Sequence, residues 1–507
     1  MIFRSSFPVS SLVHLTFSAH MVGLLTFGIS ETVYSFLSVA LGIIGVLIAR
    51  PNASVDLPLS KFGTKTAYRH CGLQPIIDPA HERSKQCRMV YVAGLFRHGT
   101  RAPSPSEITH IRDLYERLSS CQEAALPKNF LSHPIPFQNA RGYELLPRGR
   151  QELYNLGRSF RKRVTGHFRV TRSNSLFYSS SSERAIHSAW SFYNGLFKLE
   201  PAKWDGYTAF EVNDTQSVIQ VEDELLRFFE TCERHAKQIR RGESSMKEYR
   251  KFLHGPQMHH MLQDIMKKHN IRCANLSTTD LTTLFVTCAH EVAVNSTIPI
   301  SPWCGFFNAE SLDILEYLGD LKQYWQWSHA YELNHLQSCP LLSRIMDDLK
   351  LAASQHVAGN KTMIRGSFWF GHAETLLPVV THLGLFNEST GTGRLVASDF
   401  EERLGRIKLQ PSSPTTFRSG FISPFAGNLA FVLHHCASTA EHSDDPIDGF
   451  FVELLMNEIT VAWPFHDSVS PSKSDLSGST FVPLRTVLDH LRRCAPDTYD
   501  KQKYCSL

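Results

Sequence analysis

The sequence predicts an α/β protein with a mostly parallel sheet flanked by helices and a mainly helical cap inserted into it. Three observations carry that expectation. MVYVAGLF (89–96) is a continuous apolar run of strand length, the pattern of a strand covered on both faces. LFYSSSSERAIHSAWSFYNGLF and SFWFGHAETLLPVVTHLGLF each pass from an apolar run through a short polar turn into a helical pattern. Between those two segments, residues 222–351 are almost strandless and full of helical stretches.

In chain order, residues 1–50 form an apolar N-terminal segment. Its stretch VYSFLSVALGIIGVLIA (33–49) has 17 consecutive uncharged residues, the short end of what spans a bilayer at about 1.5 Å per residue. A cleaved signal peptide and a transmembrane signal anchor both fit, and the anchor alternative would attach the chain to a membrane. Arg50, Lys61, Lys65 and Arg69 follow the stretch; that bias favours a cytosolic domain, but large domains translocate largely regardless of such charge. Residues 51–86 are polar and turn-rich, which predicts a connector. The main domain is expected over 87–507, with the cap at about 205–351. LLPRGRQELYNLGRSFRKRV sets Leu153, Leu156 and Phe160 at helical spacing. VEDELLRFFETCERHAKQIRR, MKEYRKFLHG and ESLDILEYLGDLKQYWQW supply cap helices, and GNLAFVLHHC and GFFVELLMNE resume the strands.

Composition narrows the classes of partner. Of 507 residues 42% are hydrophobic and 20% charged, and the net charge is +4. That balance shows neither a nucleic-acid-like basic excess nor an acidic tail, so no nucleic-acid partner is expected and any preference for anions is set locally. Eleven cysteines are dispersed without one C-x-x-C pair, which argues against a zinc ribbon and suits disulfides with one cysteine left over. Six N-x-[ST] sequons, at Asn52, Asn213, Asn275, Asn295, Asn360 and Asn387, favour a secretory route as well. P-loop, G-x-G-x-x-G, H-E-x-x-H and G-x-S-x-G patterns are absent. Neither a cofactor nor a metal is therefore expected.

Three segments carry residues suited to chemistry. Arg97, His98, Gly99 and Arg101 fall in the turn after the first strand, where ligands of open α/β sheets collect. Arginine forks match phosphate oxygens two at a time. Flanking positive charge favours the neutral form of His98, and a neutral imidazole nitrogen is a nucleophile toward phosphorus. An exposed basic loop ahead of a proline is the alternative. SSSSERA places Arg184 at a second strand-to-helix junction, either as a third guanidinium or in an ordinary polar loop. GHAETLLPVV puts His372 and Glu374 at the start of a helix. Such an N-terminus favours anions; His372 can bond a phosphoryl oxygen, and Glu374 can protonate a leaving oxygen. Glu374 also suits the first turn of any helix.

These segments, in this order, resemble the acid phosphatase/phytase branch of the histidine phosphatase superfamily, over nearly the whole chain after about residue 85. RHGTRAP matches the branch's R-H-G-x-R-x-P signature, LLPRGRQELYNLGRSFRKR its following helix, and SSSSERA its second phosphate-binding arginine. Most members carry His-Asp at the distal motif, whereas this chain has GHAE. With ELLRFFETCE, SPWCGFF, LEYLGDLKQYW and LLMNE, that is similar to the multiple inositol polyphosphate phosphatases within the branch. The resemblance implies the histidine-phosphatase fold and a phosphohistidine intermediate on His98. It also implies phosphate binding by Arg97, Arg101, Arg184 and His372, and proton donation by Glu374. The substrates implied are inositol hexakisphosphate and lower inositol phosphates, with 2,3-bisphosphoglycerate as a further candidate. Arginines can stabilise the transferring group without Mg²⁺, so metal-independent hydrolysis is expected. Animal members often end in an ER-retention tetrapeptide; this chain ends KQKYCSL, which leaves the ER lumen, the cell surface and secretion open. Three rivals stand beside this reading: a histidine acid phosphatase for other monoesters, a surface glycoprotein that binds inositol phosphates without turnover, and a phosphoglycerate mutase relative. GHAE weighs against the first, the intact His98, Arg101 and Glu374 against the second, and the secretory features against the third.

Overall fold

The computed structural model describes residues 57–72, 87–199, 218–273, 275–295, 301–388, 393–410, 415–436, 447–464 and 479–507. Eight strands among them form one sheet: β1 (Arg88–Arg97), β2 (Ser175–Ser179), β3 (Ile219–Val221), β4 (Gly366–Gly371), β5 (Asn428–His435), β6 (Phe450–Met456), β7 (Ile459–Val461) and β8 (Phe481–Pro483). Their order is β3-β2-β4-β1-β5-β6-β7, with β8 on β6. The ladders from β3 to β1 are parallel and those from β1 onward antiparallel. Long connections containing helices separate β1, β2 and β4 of the parallel half, and β6 returns to β7 through a two-residue turn. Between β6 and β7 the chain turns on Asn457 and Glu458, with φ of 49° and 67°, the left-handed pair that a two-residue hairpin needs. The fold is α/β as expected, with a mixed sheet whose parallel half carries the candidate site.

β1 is buried at every residue after Arg88. Its alternation sends Ala93 and Leu95 to one face and Val92 and Phe96 to the other. On the second face Phe96 stacks on Phe370 at 5.0 Å and meets Phe160 and Phe192 at 5.3 and 4.7 Å. Phe370 is on β4; after α1 (Pro105–Ser119), Phe160 comes from α2 (Pro147–Val164) and Phe192 from α3 (Glu183–Leu196). The first face belongs to a larger core shared with α4 (Pro256–Lys268), α5 (Thr278–Val294), α6 (Ala309–Trp327), α7 (Cys339–Val357) and α8 (Ala373–His382). Apolar burial of this kind contributes about 1.5–3 kcal/mol per large side chain, and it fixes where the strand ends lie.

Three expectations change. The helical block runs, among the described residues, from Asp223 to Val357 between β3 and β4, so the stretch expected as cap also holds a strand; three residues are too few for a period-2 pattern to register. Residues 57–72, within the expected connector, fold onto the domain: Leu57, Phe62 and Ala67 are buried there, apolar anchors hidden in a turn-rich composition. The transmembrane expectation is corrected, since no helix among the described residues is long and apolar enough to cross a membrane, and residues 33–49 lie outside them.

The dispersed cysteines pair as Cys87–Cys436, Cys121–Cys273, Cys232–Cys505, Cys288–Cys304 and Cys339–Cys494. Cys71 is left outside these pairs.

Buried imidazoles make stability depend on pH. Burial pushes His235 and His382 down to about 4 and His335 to about 3, and it pushes His98, His290 and His372 well below the ordinary histidine value. The unfolded chain protonates these rings near pH 6.5 while the folded chain does not. Stability contributed by the neutral rings is thus present above about pH 6.5 and lost as pH falls below it, toward the folded values. Glu316, raised to about 7 by burial against the pull of Arg418, works in the opposite direction, as do Glu152 and Asp320, also raised by burial, but these three carboxyls are outnumbered by the six rings. The thermal midpoint is expected to fall between about pH 7 and pH 5. A level or rising midpoint across that range would contradict this account.

Candidate active site

The turn after β1 is fixed by its backbone before any charge is placed on it. Arg97 pairs with Gly371 in the parallel ladder, so β1 and β4 end at one edge. The amides of Arg97 and His98 donate to the carbonyls of Gly427 and Gly371 at 2.8 and 3.0 Å, and the His98 carbonyl accepts from Ala426 N at 3.0 Å. Gly99 lies against the first turn of α2, where an added Cβ would stand 2.4 Å from the Gly149 carbonyl oxygen; only glycine permits that approach. Glu152, buried on α2, accepts from Thr100 N and Thr100 Oγ1, each at 2.9 Å.

His98 is 3% exposed, and its Nδ1 lies 2.9 Å from the Gly99 carbonyl oxygen. A carbonyl only accepts, so Nδ1 carries the proton and Nε2 keeps its lone pair. Burial, followed by the charges of Arg97 and Arg184, holds the ring far below the ordinary pKa. The ring is therefore neutral across the physiological range, with the Nε2 lone pair available.

The arginines surround it. Arg97 donates from Nη1 to the carbonyls of Thr64 and of Ser423, the latter at 2.7 Å, and its guanidinium lies 4.7 Å from the Phe425 ring centre. Arg184 donates from Nη2 to His372 Nδ1 at 3.2 Å. The Nε atoms of both arginines are buried and have no partner in the protein. Arg101 and Arg184 lie over the same ring, that of Tyr143, at 5.0 and 5.4 Å. Burial and then Arg101 push Arg97 down to about 9 and Arg184 to about 10, with Glu374 opposing in both cases. Both stay cationic, yet the cluster is short of negative charge, and a bound dianion would supply it.

His372 caps α8, its ring 5.6 Å from that of His98. Because Nδ1 accepts from Arg184, its Nε2 carries the proton and donates to Ser180 Oγ at 3.0 Å. Both ring nitrogens are therefore committed to protein, and His372 could donate to an oxyanion from Nδ1 only after taking a second proton there. Glu374 stands half-buried in the first turn of α8. Strand ends and helix starts thus bring Arg97, His98, Arg101, Arg184, His372 and Glu374 to one edge of the sheet.

Sequence reasoning missed Arg227. It donates to Ser181 Oγ at 3.1 Å and to Glu230 at 2.7 Å, and its charge helps depress both His372 and Arg184. Lying between two short helical turns within the cap, it reads as one solvated arginine among many. Also missed was a cavity of about 240 Å³ beside the arginines, lined by Thr64, Lys65, His110, Tyr249 and Lys322 among others. None of the six expected site residues lines it, but Thr64 joins it to Arg97 and Lys65 feels the charges of Arg101 and Arg97. Among the described residues the one group with metal-ligand spacing is Cys339, His382 and Cys494, and its two sulfurs are joined in a disulfide.

A family model described as histidine phosphatase superfamily (branch 2) matches residues 88–457. Multiple inositol polyphosphate phosphatase 1 of Gallus gallus is 28% identical over 428 residues, covering 82% of this chain and 88% of that protein. The protein of the same name from Homo sapiens is 29% identical over 418 residues, covering 78% and 81%. Among solved structures, the multiple inositol polyphosphate phosphatase of Bifidobacterium longum in complex with inositol hexasulfate aligns with a TM-score of 0.61 at 14% identity, covering 88% of this chain and 100% of that one. The phytase from D. castellii gives 0.60 at 16%, covering 88% and 86%. At these identities the two structures speak for the fold alone.

Proposed function

The chain belongs to branch 2 of the histidine phosphatase superfamily, and from that premise we propose that it hydrolyses inositol polyphosphates through a phosphohistidine on His98. The observation that carries the reading is the tautomer of His98, a buried neutral ring with Nε2 free among three guanidiniums. In the first step the Nε2 lone pair attacks phosphorus, the ester P–O bond breaks, and the leaving oxygen takes the proton of the Glu374 carboxyl. In the second, water attacks the phosphohistidine, its proton goes to the Glu374 carboxylate, the P–N bond breaks, and orthophosphate leaves. Arg97, Arg101 and Arg184 bind the non-bridging oxygens, and His372 orients Arg184 and closes the phosphate site. Phosphoryl transfer asks mainly for positioning and charge stabilisation, which these fixed cations can give in place of Mg²⁺; that supports metal independence.

Lys322, and Lys65 although it is paired with Glu107 at 3.7 Å, give the neighbouring cavity charge and room for phosphates that are not reacting. This favours a polyphosphorylated substrate, in keeping with the names of the relatives; 2,3-bisphosphoglycerate is a second candidate. Five disulfides, together with the exposed sequon residues Asn275, Asn295 and Asn387, support a secretory-pathway location. The test is orthophosphate release from inositol hexakisphosphate by the purified protein in EDTA. Steady release is expected. No release with or without Mg²⁺ would overturn the activity, and release only with Mg²⁺ would overturn metal independence.

A further inference from the structure

We propose that Tyr143 is a positioning residue whose ring holds Arg101 and Arg184 apart and aimed at the phosphoryl site before substrate arrives. The inference rests on the phosphatase reading and adds to it a group outside all the motifs. Tyr143 lies between α1 and α2, 44% exposed. The guanidinium carbons of Arg101 and Arg184 stand 5.0 and 5.4 Å from its ring centre. Two guanidiniums so close repel each other, and the face of an aromatic ring attracts each of them. Neither arginine forms an ion pair among the described residues. The ring therefore does what a carboxylate would do for their geometry, without neutralising charge that the substrate needs.

The backbone points the same way. Tyr143 has φ of 66°, the left-handed region that a bulky residue rarely adopts. Its surroundings impose that conformation: Tyr143 N donates to the Pro103 carbonyl at 3.0 Å, Ala102 N donates to that of Glu144 at 2.9 Å, and Arg101 bridges to Leu145. Such conformations persist where neighbours over-determine them, and they cluster at functional sites. What sets Tyr143 apart from a plain turn residue is that two guanidiniums share its ring at 5.0 and 5.4 Å.

Three variants test this: Tyr143→Gly, Tyr143→Leu and Tyr143→Phe. Glycine accepts the left-handed backbone freely and leucine keeps apolar bulk, so at least one variant without the ring retains the fold, judged by circular dichroism and thermal midpoint. The readouts are kcat/KM on p-nitrophenyl phosphate and the inhibition constant for inorganic phosphate. Folded Gly or Leu variants are expected to lose about tenfold in kcat/KM and to bind phosphate weaker by a similar factor, since two cation–ring contacts vanish. The Phe variant should stay within about twofold of wild type on both, because the contacts use the ring face. Wild-type kinetics and phosphate affinity without the ring would overturn the proposal, as would a Phe variant as impaired as the Gly variant. Failure of the unaltered protein to hydrolyse or bind phosphate would instead sink the phosphatase reading, and this inference with it.

Discussion

His98→Ala is expected to abolish turnover of aryl and inositol phosphates alike, a loss of about 10⁴-fold or more, as when the nucleophile of a covalent mechanism is removed. The bonds that hold the turn join backbone atoms of residues 97 and 98 to Gly427, Gly371 and Ala426, and the alanine keeps them all. The arginines also remain, so the variant should still bind inorganic phosphate. His372 cannot take over the attack: Arg184 occupies its Nδ1 and Ser180 its proton-bearing Nε2. Wild-type enzyme quenched during turnover of a ³²P-labelled substrate should carry acid-labile label on protein, and the variant none. Activity within about tenfold of wild type, or label retained by the variant, would remove His98 from the role of nucleophile.

Much of this site was legible because its residues sit where strands end. Arg97, His98, Arg184 and His372 each follow an apolar run, and the apolar run is the strongest signal a sequence carries. The mixed nature of the sheet was less legible, since direction is set by what lies between strands; the Asn457 and Glu458 hairpin holds a glutamate where glycine would have marked the turn. β3 is three residues long and, among the described residues, pairs only with β2, too little pattern to read. Residues 57–72 escaped because Thr64 acts through its carbonyl, which any residue possesses. Arg227 and Tyr143 escaped for a related reason: their importance is a matter of what the fold sets beside them, and nothing in their neighbours along the chain reveals it. The disulfide partners lie between 16 and 349 residues apart, and their connectivity follows from the sheet and cap rather than from spacing.

Glu374→Gln should divide substrates by their leaving groups. The glutamine keeps the size of the side chain but has no proton to give. An inositol alkoxide is a poor leaving group that needs protonation as the P–O bond breaks, whereas p-nitrophenolate leaves largely unaided, and help from a general acid scales with the basicity of the leaving oxygen. The variant should therefore form the phosphoenzyme about 10²–10⁴-fold more slowly from inositol hexakisphosphate and only a few-fold more slowly from p-nitrophenyl phosphate. Dephosphorylation is common to both substrates and would mask the contrast in steady state, so single-turnover bursts are the measurement that isolates the first step. Binding supplies an independent check. Whenever it is ionised, Glu374 opposes the effect of burial on Arg97 and Arg184; the glutamine never carries that charge, so inorganic phosphate should bind at least as tightly as to wild type. Slow chemistry on the basic leaving group combined with undiminished phosphate affinity is the pattern of a lost acid rather than of a damaged site. Equal slowing of the burst for both substrates would show that Glu374 does not protonate the leaving oxygen.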